Sequence, residues 1–536
     1  MKPYLIVVLV FMQLTIKAQL QERIDSLLGA VAQKPRDPGF TVMVVRHDSV
    51  LYSRSFGMAN AQKKLPISEA TIFNIGSVTK QFTAFCILKL ELEGKLKRSD
   101  LIQKYLPEIP QGSDTITIAN LLSHTSGLPD YLEALSLMGE NKVSNIERNQ
   151  MFDYYRTQPS ASFAPGSRFS YSNAGYMMLA VIVERVAKMP LADYLKQQVF
   201  EPLKMTTATC VLQEQDGLQG TVSYFKVGKT YHHRKIPVLN AVGATGVCCS
   251  LNDFRKWDRN FLYPSAETRA IIEEMRKCYR LNDGSSLGYG SGIIVKPYHG
   301  YISEEHSGGW NEFMVQFRRI PELELSILIA GNRTDYNALQ LCNQITDWCL
   351  PPRSDSAFSK LQALPPHREI CGTYLDENNL IRKIFIKDGV PVITSYKDTV
   401  NELRQFRMIS TSLDTTWAID DAGDTLIFER SGEKISGLYY AGSTYFHFRR
   451  HFTKMTFNQA DLQSGNFQHE HYNVFLRISK SPDQYFLQFS GRKFLLESFG
   501  DGIYKVQNHP VVLRFKTTST LLIGDEWNSN LKFVKR

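Results

Sequence analysis

Cysteine is scarce in this chain: eight residues in 536, with Cys248 and Cys249 the only close pair. That pattern leaves no disulfide framework and no Cys-x-x-Cys metal site. An export compartment would permit a bridge such as Cys342 to Cys349, but buried free thiols are the preferred reading. Histidine supplies no metal site either. His469 and His471 share one face of a predicted strand without a third ligand, and His232-His233 reads as a solvated loop. No apolar run reaches the roughly 20 residues that a membrane-spanning helix needs. No sustained stripe of lysine and arginine is present, so the formal charge of +9 over this length describes a mildly basic surface rather than a nucleic-acid footprint.

What is present begins with a short apolar run, Leu5 to Met12, after Lys2 and before Ile16-Lys17-Ala18. It reads as a secretory signal over residues 1–18, cleaved before Gln19. No cysteine follows the run, which argues against a lipid anchor. The expectation is an exported protein without a membrane span, in the periplasm or outside the cell. Leu20 to Ala32 has helical spacing, broken by Pro35 to Pro38. Thr41–Arg46 and Val50–Phe56 read as a hairpin around His47-Asp48-Ser49. Asp100–Leu106, Ile116–Leu122 and Met177–Val186 read as helices, and Ser250 as the N-cap of another. Tyr289–Lys296, Phe313–Arg319 and Leu325–Ala330 read as strands, and Ala338–Cys349 as a closing helix. This order predicts an α+β layer in which both ends of the segment meet in one sheet.

Domain boundaries follow composition. Residues 19–350 form the first domain, and Pro351-Pro352-Arg353-Ser354-Asp355-Ser356 opens a linker over 351–365. The remainder alternates short strands with Gly, Asp and Asn turns. Cys371-Gly372-Thr373-Tyr374 is echoed by Ser464-Gly465-Asn466-Phe467, and Tyr445–Phe448 by Asn530–Phe533, which predicts two barrel-like units, 366–456 and 457–536. A single larger sheet domain is the alternative.

The chemistry gathers at Phe73-Asn74-Ile75-Gly76-Ser77-Val78-Thr79-Lys80. A serine and a lysine three residues apart, at the start of a helix too apolar for one exposed stripe, share a face. Ser77 is then the candidate nucleophile and Lys80 its activating base. Ser-x-x-Lys also occurs at Ser431–Lys434 and Ser490–Lys493, where Ser-Gly reads as a hairpin turn. What singles out Ser77 is one Tyr-x-Asn, at Tyr171 and Asn173, and one His-x-Gly, at His306 and Gly308, followed by Gly309.

With the Leu121-Leu122-Ser123-His124-Thr125-Ser126-Gly127-Leu128 loop and the Gly243–Asp253 turn, these motifs resemble the serine beta-lactamase and penicillin-binding family over about residues 20–350. The pattern is most like the branch holding class C beta-lactamases, D-alanyl-D-alanine carboxypeptidases, D-aminopeptidases and related esterases. The resemblance implies a beta-lactamase/transpeptidase-like α+β fold, with an antiparallel sheet flanked by helices and an all-helical region, ahead of the all-β C-terminal part. It implies acyl transfer through Ser77, with Lys80 or Tyr171 as base, and without metal or cofactor. Asn173 would hold Lys80 and the substrate amide, and the N–H groups of Ser77 and Gly309 would bind the oxyanion. His124 is expected to hydrogen-bond rather than react. Many members carry Lys-Thr-Gly where this chain has His306-Ser307-Gly308, and a neutral histidine attracts a substrate carboxylate weakly. The expectation therefore shifts toward D-aminopeptidase-like or esterase-like action on small molecules or short peptides, cell-wall fragments included. A beta-lactamase or D,D-carboxypeptidase, and a non-hydrolytic binder on the same fold, are the alternatives.

Overall fold

The computed structural model describes residues 3–351, apart from 33, 110–114, 132–144, 147, 158–160, 212–217, 234–237, 240, 285 and 300, and beyond them the strands between residues 372 and 535. Helix α1 runs from Pro3 to Ala32 without a break, longer than the Leu20–Ala32 expectation because the apolar leader is helical as well. Strands β1 (Phe40–Arg46) and β2 (Ser49–Phe56) form the predicted hairpin. Its turn has two residues, His47 and Asp48, both at positive φ (49° and 56°), the handedness that matches the twist of the strands it joins.

Four further strands complete the sheet: β3 (Ile294–Tyr298), β4 (Tyr301–Trp310), β5 (Phe313–Ile320) and β6 (Leu325–Gly331). The order is β3–β4–β5–β6–β1–β2, so the last strand lies beside the first, with Phe40 opposite Gly331 and Val44 opposite Ile327. Strand period places Val42 and Val44 on one face with Ile24 and Leu28 of α1 and with Leu341 and Ile345 of the closing helix Ala338–Cys349. Met43 and Val45 face the other way, into the larger core of the helical region.

Strand β4 departs from expectation. The residue pattern predicts a strand at Tyr289–Lys296, whereas Ile294–Tyr298 is the strand and the ten residues of β4 form another. Ser303-Glu304-Glu305-His306 has the composition of a loop. It is a central strand because Glu304 and Glu305 stand opposite Arg319 and Arg318 of β5, with N–O separations of 2.6 Å in both pairs. Lys296 reaches Glu305 at 2.6 Å, and Asp258 holds Arg319 at 2.7 Å, so the buried charges are compensated.

Helix α2 (Thr79–Leu92) crosses the larger core, with every residue from Thr79 to Leu88 buried. Trp257, on the helix Leu251–Leu262, stacks on Phe82 at 4.2 Å and donates its indole N–H to Gln81. Ser250 caps that helix by accepting the Asp253 N–H at 3.3 Å. Gly94 ends α2 at φ 70°.

Beyond residue 351 the strands between Gly372 and Lys454 form one eight-stranded sheet, and those between Gly465 and Lys535 close into a barrel. Gly372–Asp376 and Gly465–His469, where the sequence echo falls, belong one to each assembly. Ser431 and Lys434 pair across a hairpin. The linker reading, apart from Pro351, and the Tyr445–Phe448 echo lie outside the described residues. The described cysteines, Cys342 and Cys349 among them, are free thiols. Among the described residues no helix is long and apolar enough to cross a membrane.

Candidate active site

Ser77 lies in a single 3-10 turn, Gly76–Val78, that leads into α2. The turn is built by Asn74, whose buried Oδ1 accepts the Gly76 N–H at 2.9 Å and the Thr245 hydroxyl at 3.1 Å. Gly76 has φ +53°, and a Cβ there would stand 2.6 Å from the Gly309 nitrogen. A Cβ on Gly308 would fall 2.0 Å from the Ile75 carbonyl oxygen. Both glycines are required so that β4 can lie directly against the Ser77 turn.

Lys80 is fully buried, and its Nζ is shared among Ser77 Oγ at 3.0 Å, Asn173 Oδ1 at 2.8 Å and the Ala244 carbonyl at 3.2 Å. Burial pushes its pKa down to about 7, while the Asp130 carboxylate acts in the opposite direction. A neutral amine has two N–H bonds and one lone pair. Asn173 Oδ1 and Ala244 O are acceptors only, so they take the two protons and leave the lone pair facing the Ser77 hydroxyl. That is the geometry of a base poised over its nucleophile.

Tyr171 and Asn173 come from the start of helix α3 (Asn173–Ala187) and the residues before it. Ser172 Oγ caps the helix by accepting the Gly175 N–H at 3.2 Å, and Asp130 Oδ2 accepts both the Ser172 hydroxyl and the Ala174 N–H at 3.0 Å. With Ser172 turned inward, Tyr171 and Asn173 face Lys80, whose Nζ lies 4.7 Å from the centre of the Tyr171 ring. The centres of the Tyr171 and His306 rings are 6.3 Å apart. Ser77, Tyr171 and Asn173 are half-buried and Gly309 is exposed, whereas Lys80 between them is buried.

His306 is only 2% exposed. Its Nδ1 donates to the Ser307 carbonyl at 2.6 Å, and its Nε2 lies 3.4 Å from the Tyr289 hydroxyl. Burial, then Lys80 whenever it is protonated, press its pKa down to about 3, so it is neutral. The seven predicted site residues, Ser77, Lys80, Tyr171, Asn173, His306, Gly308 and Gly309, are thus brought together where the Ser77 turn, α2, the start of α3 and β4 meet. Asn74, Asp130, Thr245 and Tyr289 were not singled out by sequence reasoning. Asn74 and Asp130 sit inside stretches that drew attention for other residues, whereas Tyr289 carries no local signal. Among the described residues no cluster of three or more His, Cys, Asp or Glu side chains could hold a metal ion.

A buried lysine bonded to a half-buried serine at the head of a core helix, faced by a tyrosine and an asparagine and backed by an antiparallel sheet, defines the serine beta-lactamase and penicillin-binding class. The Beta-lactamase family profile matches residues 24–341, more than half of the chain, and the chain belongs to that family of hydrolases. Penicillin-binding protein 4* of Bacillus subtilis (strain 168) is 27% identical over 337 residues, covering 60% of this chain and 73% of that protein. Protein flp of Staphylococcus aureus (strain MW2) is 27% identical over 326 residues, covering 58% of this chain and 63% of that one, just under two thirds of its length. Among solved structures, the octameric penicillin-binding protein homologue from Pyrococcus abyssi superposes with a TM-score of 0.53 at 20% identity, over 88% of this chain and 99% of that one. A class C beta-lactamase gives 0.54 at 19% identity, over 63% and 98%. At such identities the structural likeness establishes the fold.

Proposed function

We propose that this protein is an exported serine hydrolase that forms an acyl-enzyme on Ser77 and cleaves amide or ester bonds of small, peptide-like substrates, in the manner of D-aminopeptidases and esterases. The observation that carries the chemistry is Lys80, fully buried and 3.0 Å from Ser77 Oγ, with its pKa brought down to about 7. Ser77 Oγ adds to the substrate carbonyl while its proton passes to Lys80, or to Tyr171 coupled to it. The oxyanion that forms is received by the N–H groups of Ser77 and Gly309, each worth about 3 to 4 kcal/mol in comparable sites. The proton returns to the leaving group as the carbon–heteroatom bond breaks. Water then repeats the sequence to release the acid.

The preference over carboxypeptidase action rests on His306. Buried and neutral, it offers no cation to a substrate carboxylate, so selection must come from elsewhere on the substrate. The second reading, a beta-lactamase or penicillin-binding carboxypeptidase, is favoured by the names of the relatives, Penicillin-binding protein 4* among them. A non-hydrolytic binder is disfavoured by the intact Ser77–Lys80–Asn173 contacts.

The test compares wild type and Ser77→Ala on a p-nitrophenyl ester, a D-amino-acid anilide and a chromogenic cephalosporin, with mass spectrometry of the acylated chain. Turnover of the ester or anilide that disappears in Ser77→Ala is expected. Dominant cephalosporin turnover would move the assignment to the second reading, and indistinguishable proteins on all three would end the hydrolase reading. Recovery of mature protein beginning at Gln19 from the exported fraction would bear on the leader.

A further inference from the structure

His124 holds the Tyr171 segment from both sides. Its own backbone is left-handed at φ 57°, and its carbonyl accepts the Ser170 N–H at 2.8 Å. Its Nδ1 accepts the Ser172 N–H at 3.0 Å, and its ring lies against the Tyr171 ring at 4.3 Å. A neutral imidazole carries one proton. Because Nδ1 is an acceptor, the proton is on Nε2, which faces the Tyr289 hydroxyl at 3.2 Å. At the far end, His306 Nδ1 must donate, since the Ser307 carbonyl at 2.6 Å can only accept. His306 Nε2 is then unprotonated and turns its lone pair toward the Tyr289 hydroxyl at 3.4 Å. The two histidines are therefore opposite tautomers, fixed by backbone groups at either end, with the Tyr289 hydroxyl between them.

We propose that His124 and Tyr289 are positioning residues: with His306 they form one buried polar line tying the Tyr171 loop to β4, so that the proton-transfer side and the oxyanion side of the site keep one separation. The line is buried throughout, His124 at 1% and His306 at 2% exposure. Burial, and Lys80 whenever it is protonated, hold both rings neutral, against the weaker opposing pull of Glu305 on His306. Tyr176, packed beside His124 at 5.1 Å, gives its own proton to the Leu122 carbonyl at 2.9 Å and shares a side-chain hydrogen bond with Tyr289, so it braces the line from the helix side. The functional half of the proposal rests on the acyl-enzyme reading of Ser77; the tautomers do not.

The experiment uses full-length protein labelled with 15N-histidine, assigned with His124→Asn and His306→Asn, and read by long-range 1H–15N correlation at pH 7. His124 should show the Nε2–H pattern and His306 the Nδ1–H pattern. Tyr289→Phe keeps the ring and removes the shared hydroxyl. It should lower the rate of Ser77 acylation by p-nitrophenyl acetate by roughly 10- to 100-fold with KM within about twofold, the scale of a displaced reacting group. His124→Asn, whose Oδ1 can still accept from Ser172, should lose a similar factor. The double variant should lose no more than either single one, as two cuts in one line. Matching tautomers, single variants at the wild-type rate, or losses that multiply would each overturn the proposal. A wild type that never acylates Ser77 would instead remove the hydrolase reading, and the tautomer pattern would still decide the line.

Discussion

Lys80→Met is the most informative single perturbation, because it touches charge, burial and catalysis through one atom. Bringing the lysine pKa from 10.5 to about 7 corresponds to roughly 5 kcal/mol against the charged form inside the fold. Methionine removes that cost but leaves Asn173 Oδ1 and Ala244 O without their donor, at about 1 to 3 kcal/mol each. The two effects nearly cancel near neutral pH, so the pH dependence is the decisive quantity. The folded pKa lies below the unfolded one; between about pH 7 and 10.5 the unfolded chain binds more protons, and wild-type stability rises with pH through that window. Relative to Lys80→Met, the wild type should gain about 2 kcal/mol between pH 7 and pH 9. The assay is urea unfolding of both proteins at each pH, followed by tryptophan fluorescence, since Trp257 lies against α2. In parallel, wild-type acylation should show an acidic limb with its midpoint near 7, and the variant should lose about 100- to 10,000-fold in rate. Stability differences that do not change with pH would refute the account of Lys80 as a desolvated base.

Two neighbouring glycines should respond oppositely. Gly308→Ala drives a Cβ to 2.0 Å from the Ile75 carbonyl and should lower stability in urea unfolding and cut acylation by at least about 100-fold, whereas Gly309→Ala meets only Met314 Sδ at 3.9 Å and should unfold at the wild-type urea concentration. Asp130→Asn keeps an oxygen for Ser172 and Ala174 but removes the charge that favours the Lys80 ammonium. The acidic limb of kcat/KM should therefore move to lower pH, and an unmoved limb would contradict the role given to Asp130. Arg319→Met should cost about 3 to 5 kcal/mol in urea unfolding, because Asp258 loses its buried partner and Glu304 keeps only Arg276.

The sequence made the nucleophile turn legible because its information is local. Three residues separate Ser77 from Lys80, and helical geometry alone puts them on one face. Tyr171 and Asn173 were legible as a Tyr-x-Asn motif, and the structure supplies the reason for its spacing: Ser172 caps a helix and its two neighbours turn the same way. Strand β4 was not, because Glu304 and Glu305 become strand residues only when Arg319 and Arg318 neutralise them, and pairing of that kind has no local mark. Tyr289 was read as the start of a strand. Its hydroxyl acquires meaning only when residues 124 and 306 are brought to either side of it. The buried state of His306 was likewise beyond a motif: the substitution of histidine for lysine could be read, but not that the ring would be sealed from solvent.

The pairing of Phe40 with Gly331 has a consequence for how the molecule is made. A ribosome releases β1 and β2 early, yet β1 has a vacant edge until β6 has been synthesised, with the whole helical region delivered in between. Nascent chains arrested before residue 331 would carry Ser77, Lys80 and Tyr171 without a finished sheet behind them.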